Sequence, residues 1–153
     1  MAKRHSCFVV LVALLMPTVL SCSHVAQDSF DQGVAAFEKE DYDLAIACFT
    51  EVIRLDSTLE GAYYNRGSVR SDQGDLEGAI ADYTQAIALN PENGYAYWGR
   101  GLAYRQLGSA DAALADFRRY LELWPDAENR EMFEECRDFV DYVREHGVAR
   151  SEG

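Results

Sequence analysis

Side chains that could catalyse a reaction or bind a metal are few in this sequence and are widely separated. The three histidines are His5, His24 and His146, so no two of them stand at the spacing that brings two imidazoles together on a helix. Ser23, His24 and Asp28 are close in sequence, but nucleophilic catalysis needs a rigid arrangement that a segment near the N-terminus does not provide. These residues predict neither a metal site nor a hydrolase.

Neighbouring carboxylates are the second candidate for chemistry. Asp41 and Asp43 lie in a predicted turn, and the pair 134–135 lies on a predicted solvated helix face. General acid–base catalysis needs a pocket that shifts the pKa of a carboxyl group, and a sequence of this pattern predicts an open surface instead. There is also no glycine-rich phosphate loop. We therefore expect a protein that is not an enzyme and uses no cofactor.

The charge balance narrows the classes of partner. The chain has 14 Lys and Arg against 26 Asp and Glu, a formal net charge of −12. Phosphate backbones would be repelled, and no lysine run offsets this, so binding to nucleic acid is not expected. A basic protein partner would be attracted. The alternative, that the acidic residues only keep the surface soluble, stays open.

Similar residues recur every 34 positions through most of the chain, with no insertion between copies. Two helices approach closely only where their facing side chains are small, so recurring glycines and alanines predict packed helix pairs. These predicted packing residues are Gly33, Gly67, Gly101, Ala45, Ala79 and Ala113, and the aromatic columns that accompany them are Phe49, Tyr83, Phe117 and Phe30, Tyr64, Trp98. The period predicts an all-α repeat array.

The segment 63–91, YYNRGSVRSDQGDLEGAIADYTQAIALNP, resembles the tetratricopeptide repeat (TPR) consensus. This resemblance implies a short right-handed α-solenoid of three helix-turn-helix repeats, at 28–59, 60–93 and 94–127. Apolar residues at helical spacing among charged ones then predict a C-terminal capping helix over 128–147, as an array end requires. A disordered tail is expected over 148–153.

The first helix of each repeat is expected to line the inner, concave face of such an array. Residues at helical spacing predict a groove for an extended protein segment or a partner helix. The candidate groove residues are Phe30, Tyr64, Asn65, Ser68, Tyr95, Trp98, Leu102 and Arg105. For the aromatic column, packing beside the neighbouring helix remains the alternative. Arg66 and Arg100, which also recur at 34, are expected to pair with acids of a neighbouring repeat or to extend along the surface.

Some members of the family bind chaperone C-terminal tails through a clamp of lysine, asparagine and arginine on this face. At the corresponding places the sequence has Phe30, Val34, Tyr95 and Gly99, and only Asn65 matches the clamp. We therefore do not expect this chain to recognise such tails.

The N-terminal segment predicts export. Lys3 and Arg4 precede an apolar run over 8–16 that is short for a membrane span, as in a secretory signal peptide over 1–21. The sequence Val19-Leu20-Ser21-Cys22 resembles the lipobox of bacterial lipoproteins, which implies that Cys22 becomes the lipidated N-terminus. An ordinary signal peptide cut nearby is the alternative, and an uncleaved signal anchor is the third.

A lipidated Cys22 would hold the array at a membrane. The expected tether over 22–27 is short, so the repeats would lie close to the bilayer. Ser23 stands where many diderm lipoproteins of the inner membrane carry aspartate, so the resemblance favours the outer membrane where one exists. We expect a cell-envelope protein facing the periplasm or the exterior.

Three functions are compatible with these features. The first is a membrane-anchored adaptor that binds a protein or peptide segment and assembles or positions an envelope complex. The second is a module that binds a small molecule or a cell-wall fragment by stacking on Tyr64 and Trp98. The third is a structural lipoprotein that assembles with copies of itself through exposed array ends.

Overall fold

A computed structural model describes residues 24–125 and 130–147, and every regular element in these ranges is an α-helix. The all-α prediction is thus confirmed. The helices are α1 (24–37), α2 (Tyr42–Leu55), α3 (Glu60–Gln73), α4 (Leu76–Leu89), α5 (Gly94–Gln106), α6 (Ala110–Leu123) and α7 (Arg130–His146). The segments predicted to be a signal peptide (1–21) and a disordered tail (148–153) lie outside the described residues, as does Cys22. No helix in the described ranges is long and apolar enough to cross a membrane.

The turn inside each repeat has the same construction. A residue with positive φ ends the first helix, and the next residue is the N-cap of the second helix. The residues with positive φ are Glu40 (59°), Gly74 (88°) and Gly108 (74°), and the N-caps are Asp41, Asp75 and Ser109. Glycine adopts this conformation freely, whereas a side chain there costs roughly 1 kcal/mol. The first repeat therefore carries backbone strain that the other two avoid.

The chain divides into two compact units, one ending at Ser57 and the other beginning at Thr58. In the first unit, the backbone of Gly33 lies against the ring of Phe49, because a Cβ atom on Gly33 would stand 2.9 Å from Cε1 of that ring. Ala45 and Phe49 are fully buried, and Phe30 contacts the Phe49 ring edge-on, with centroids 5.5 Å apart.

Helix α1 starts earlier than the sequence indicated. The stretch 24–27, expected to be part of the tether, is already helical. Side chains one turn apart support this extra turn, since Gln27 donates to Asp31 at 2.9 Å and His24 lies 3.8 Å from Asp28. A tether that begins at Cys22 could therefore include only residues 22 and 23.

In the second unit, α3 pairs with α4 and α5 with α6, while α4 also packs on α5 and α6 on α7. Glycine again allows close approach: a Cβ atom on Gly67 would lie 3.0 Å from the ring of Tyr83, and one on Gly101 only 2.6 Å from that of Phe117. Ala79 and Ala113 are fully buried beside them. A core of Ala113, Phe117, Tyr120, Cys136 and Val140 joins α6 to α7.

Helix α7 covers the C-terminal side of this core with one face. Cys136, Val140 and Val143 are buried, whereas most of the other side chains are charged and exposed. Glu135 stands 34 residues after Gly101, where the array would need another packing glycine. A long acidic side chain at that position does not permit a further closely packed helix.

A buried ion pair joins the two helices of each repeat in the second unit. Arg66 donates to both carboxylate oxygens of Asp82, at 2.9 and 2.7 Å, and Arg100 does the same to Asp116, at 2.8 Å twice. Both aspartates are buried, with exposed fractions of 4% and 5%. The prediction that these arginines pair with acids of a neighbouring repeat is therefore wrong, because each acid lies in the arginine's own repeat. Arg100 also donates to Thr84 of the preceding repeat at 3.0 Å.

Candidate functional site

The candidate site is the surface formed by α3 and α5 of the second unit, together with the part of α7 that meets α5. Tyr64, Ser68 and Asp72 follow each other at intervals of four residues, so they lie on one face of α3. Tyr64 reaches the ring of Tyr95 on α5, with centroids 6.4 Å apart. We call this surface the α3–α5 face. Of the groove residues that the sequence predicted in the second and third repeats, it includes Tyr64, Ser68 and Tyr95.

A continuous aromatic chain of five rings runs through this face. In order it contains Tyr83, Tyr64, Tyr95, Trp124 and Tyr120, with centroid separations of 5.9, 6.4, 4.5 and 5.8 Å. Tyr95 is the most accessible member, with 43% of its surface exposed, whereas Tyr83 and Tyr120 are buried. The chain thus presents one open ring that is held in place by rigid neighbours, an arrangement suited to binding an apolar or aromatic group.

Trp124 was not predicted as a site residue. Its equivalents at the 34-residue interval are Asn90 and Asp56, both polar residues at helix C-caps, so the repeat register gave no signal for an aromatic here. Its ring lies over the backbone of Gly94, where a Cβ atom would stand 3.0 Å from Cδ2 of the indole. The absence of a side chain at Gly94 is the feature that makes room for this ring.

A polar centre, made of Ser68, Asp72 and the hydroxyl of Tyr83, lies along the C-terminal half of α3. The Tyr83 hydroxyl donates to Oγ of Ser68 at 3.3 Å, and this Oγ donates to the carbonyl of Tyr64 at 3.1 Å. Burial raises the pKa of Tyr83 to about 12, so the phenol is neutral at physiological pH. Its ring lies against Gly99, where a Cβ atom would stand 2.7 Å from Cζ.

The polar centre has no counterpart in the other repeats. The positions equivalent to Ser68 and Tyr83 are Val34 and Phe49 in the first repeat, and Leu102 and Phe117 in the third. Both substitutes are apolar pairs. This difference is visible in the sequence, because only the middle repeat has hydroxyl-bearing residues at both of these positions.

Trp98 and Leu102, which the sequence placed in the groove, are in contact with the core of the second unit. Both pack against the core between α5, α6 and α7, and both are half-buried. Nε1 of Trp98 is buried and has no hydrogen-bond partner among residues 24–125 and 130–147. Phe30 belongs to the first unit and contacts Phe49 there. The packing alternative therefore describes Phe30 and Trp98 better than exposure in a groove does.

Arg105 and Asn65 are engaged within the protein. Arg105 donates to Glu135 of α7 at 2.7 Å, and its guanidinium lies 5.8 Å from the centroid of the Phe117 ring. The amide nitrogen of Asn65 donates to the carbonyl of Gly61 at 2.8 Å. With both groups occupied in this way, the α3–α5 face offers no free side-chain cation to a carboxylate ligand.

The remaining cations of α3 and α5 are also paired. Arg66 and Arg70 share the carboxylate of Asp82, and Arg100 binds Asp116. Asp72, in contrast, is exposed and forms no ion pair with a described residue, and desolvation raises its pKa. The face is therefore locally acidic. Within the described ranges no group of three or more His, Cys, Asp or Glu residues could hold a metal ion.

Comparison with known proteins identifies relatives of this architecture. Residues 64–128 and 29–59 match two family models that are both described as tetratricopeptide repeat. No curated protein sequence matches the chain.

Solved structures resemble the fold over most of its length. The first TPR domain of Spaghetti (RPAP3) bound to the HSP90 peptide SRMEEVD is 30% identical, with a TM-score of 0.72, covering 80% of this chain and 95% of that one. The second TPR domain of human RPAP3, in complex with the HSP70 peptide SGPTIEEVD, is 27% identical, with a TM-score of 0.71 and coverages of 80% and 98%. The TPR domain of Arabidopsis OM64 is 26% identical, with a TM-score of 0.71 and coverages of 80% and 97%.

Proposed function

The chain belongs to the tetratricopeptide repeat family, and we propose that it is a non-catalytic adaptor whose α3–α5 face binds a segment of a partner protein. The observation that carries this proposal is the aromatic chain, which holds the exposed ring of Tyr95 between Tyr64 and Trp124. Large aromatic rings fixed by their neighbours give contact area at a low cost in side-chain entropy. Two similar solved domains are bound to peptides, which supports the same mode here.

The bound segment differs in chemistry from the peptides of those relatives. SRMEEVD and SGPTIEEVD both end in acidic residues and a terminal carboxylate. Here Tyr95 and Gly99 stand where the family's clamp has cations, and Asn65 is bonded to its own helix. A segment without a clamped carboxylate, held by apolar contacts, fits this face better.

We further propose that the adaptor is lipid-anchored through Cys22 and works in the bacterial cell envelope, with the outer membrane favoured where one exists. Support comes from the lipobox-like sequence and from α1, which is already helical at residue 24. Cys22 would then stand only two positions before a helix. An anchor so close to the array would raise its effective concentration toward partners at the membrane surface and thereby help to assemble an envelope complex.

Selection from a random peptide library tests the binding function. The bait is the soluble chain from Ser23, compared with Tyr95→Ala as the site variant and Tyr142→Ala as the matched control. Tyr142 is also an exposed tyrosine, but it lies on α7, with 60% of its surface accessible. We expect peptides that bind the wild type and the control and that bind Tyr95→Ala at least about tenfold more weakly. Failure to select any peptide, or equal binding to both variants, would contradict the proposal.

The anchor has a separate test. The intact mass of the mature protein, purified from the membrane of its native host, should equal that of a chain beginning at Cys22 with two or three acyl groups. An unmodified mass, or a chain that begins elsewhere, would remove the anchor and leave the peptide-binding proposal untouched.

A further inference from the structure

We infer that the polar centre of the α3–α5 face receives a positively charged side chain, a lysine or arginine, of the bound segment. This inference rests on the peptide-binding function proposed above and specifies its ligand. It is independent of the membrane anchor.

The first argument is the position of Asp72. This residue lies in the last turn of α3, where the helix dipole disfavours a carboxylate, and it forms no ion pair with any described residue. Desolvation also acts against its charge. A cation from a ligand would relieve both effects, because it would supply the opposite charge that the protein itself does not place there.

The second argument is the set of neighbours along the helix. Ser68 and Tyr64 precede Asp72 by one and two turns on the same face, so the carboxylate and the aromatic ring belong to one continuous strip. The ring of Tyr64 meets that of Tyr95 at an interplanar angle of 46°. The interval of eight residues between Tyr64 and Asp72 spans about 12 Å along the helix axis. An extended segment laid along this strip would therefore place apolar residues on the aromatic rings and a separate lysine or arginine at Asp72.

The third argument is charge complementarity over the whole face. The arginines of α3 and α5 are all bound to acids: Arg66 and Arg70 to Asp82, Arg100 to Asp116, and Arg105 to Glu135. The full chain has a net charge of −12. An acidic segment would thus be repelled by the negative charge of the chain, and the arginines of these helices, already bound to acids, would not offset this. A basic segment would instead be attracted to the face and could pair with the carboxylate of Asp72.

The repeat register limits the site to one place. The first and third repeats have apolar pairs, Val34 with Phe49 and Leu102 with Phe117, where the middle repeat has Ser68 with Tyr83. Asp72 has Gln106 as its equivalent in the third repeat and Glu38 in the first, so a carboxylate together with the hydroxyl pair occurs in the middle repeat alone. We therefore expect a preference for a basic residue at a single position of the ligand, with apolar residues near it that contact Tyr95.

The test compares a selected peptide with an analogue. Peptides chosen from the random library by the wild-type chain should share a lysine or arginine at one position. One such peptide is then synthesised with norleucine at that position, and its Kd is measured against the wild type, Asp72→Asn and Asp111→Asn. Asp111 is an exposed aspartate on α6, so its variant removes the same charge elsewhere.

For the wild type and Asp111→Asn, norleucine should weaken binding about 5- to 10-fold, as expected for a partly exposed ion pair on an aromatic surface. For Asp72→Asn the same replacement should change Kd less than about twofold, because the cation has lost its partner. The double variant Ser68→Val/Tyr83→Phe copies the pair of the first repeat and should reduce the norleucine penalty.

Two results would overturn the inference while the peptide-binding function stands: selected peptides that bind through Tyr95 without a shared basic position, or an equal norleucine penalty in the wild type and Asp72→Asn. A wild-type chain that selects no peptide would refute both the function and the inference.

Discussion

Replacing Gly101 by alanine isolates the close helix contact of the third repeat. A Cβ atom at this position would stand 2.6 Å from Cε1 and 2.8 Å from Cδ1 of Phe117. The ring cannot easily move away, because Phe117 is fully buried, Phe139 packs against it edge-on at 5.2 Å, and the guanidinium of Arg105 lies 5.8 Å from its centroid. The added methyl group must therefore displace a helix or force a side chain out of its preferred rotamer.

Two opposing effects set the size of the change. Overpacking of a well-packed core costs roughly 1–3 kcal/mol, and this contact belongs at the upper end. Alanine is favoured over glycine inside a helix by about 1 kcal/mol. The net expectation is that Gly101→Ala destabilises the fold by about 2 kcal/mol. Gly67→Ala should cost less, since its nearest contacts are 3.0 Å to the Tyr83 ring and 3.3 Å to the carbonyl of Ala79.

Urea unfolding followed by far-UV circular dichroism measures these differences through the midpoint and slope. Ala115→Gly on the exposed side of α6 is the control for helix propensity and should cost about 1 kcal/mol. In a double-mutant cycle, the destabilisation caused by Gly101→Ala should be smaller in the Phe117→Leu background than in the wild type by more than about 1 kcal/mol. If Gly101→Ala were as stable as the wild type while Ala115→Gly lost stability, the steric reasoning would be refuted.

Three other changes test the buried polar groups by the same unfolding assay. Tyr120→Phe should leave stability unchanged or raise it by about 1 kcal/mol, because the hydroxyl is buried and finds no partner in the described part of the chain; a clear loss would show that the hydroxyl is bonded. Asp82→Asn should cost about 3–5 kcal/mol, because Arg66 loses the carboxylate it is bound to and Arg70 keeps only the longer pair with Asp75, at 3.7 Å; a cost below that of an exposed Asp→Asn change would contradict this. Burial raises the pKa of Tyr83 to about 12. The contribution of this neutral phenol to the free energy of unfolding is therefore fully present below pH ~10, and it declines by about 2–3 kcal/mol as the pH rises from there to the folded-state pKa. Tyr83→Phe should therefore show a shallower loss of stability in alkali, and equal slopes would speak against the burial effect.

Most of the fold could be predicted because each repeat needs the same small residues at the same places. Gly33, Gly67 and Gly101 recur since a ring from the second helix lies directly on each of them. The start of α1 could not be predicted in this way. The register of the other repeats gives no information about residues before them, and the additional turn depends on local side-chain pairs such as Gln27 with Asp31.

The site was less predictable, because a position in the register does not fix which side chains surround a residue. Tyr64 and Trp98 are equivalent in sequence and both are half-buried, yet Trp98 packs on the core that α7 completes, while Tyr64 lies between the buried ring of Tyr83 and the exposed ring of Tyr95. Tyr120 adds to this difference, since Ala86 is its equivalent and the larger residue changes the environment of the third repeat. Equivalent residues therefore have different surroundings, because each repeat packs against a different neighbouring helix.

The confinement of the buried ion pairs to single repeats bears on how an array of this kind can change its length. Arg66 and Asp82 lie within one 34-residue unit, as do Arg100 and Asp116. When a whole unit is duplicated or lost, both members of its ion pair are duplicated or lost together. Neither charge is then left buried without its partner. Had the pairs linked adjacent repeats, every such event would have left an uncompensated buried charge at the junction. The second and third repeats are thus interchangeable with respect to their buried ion pairs.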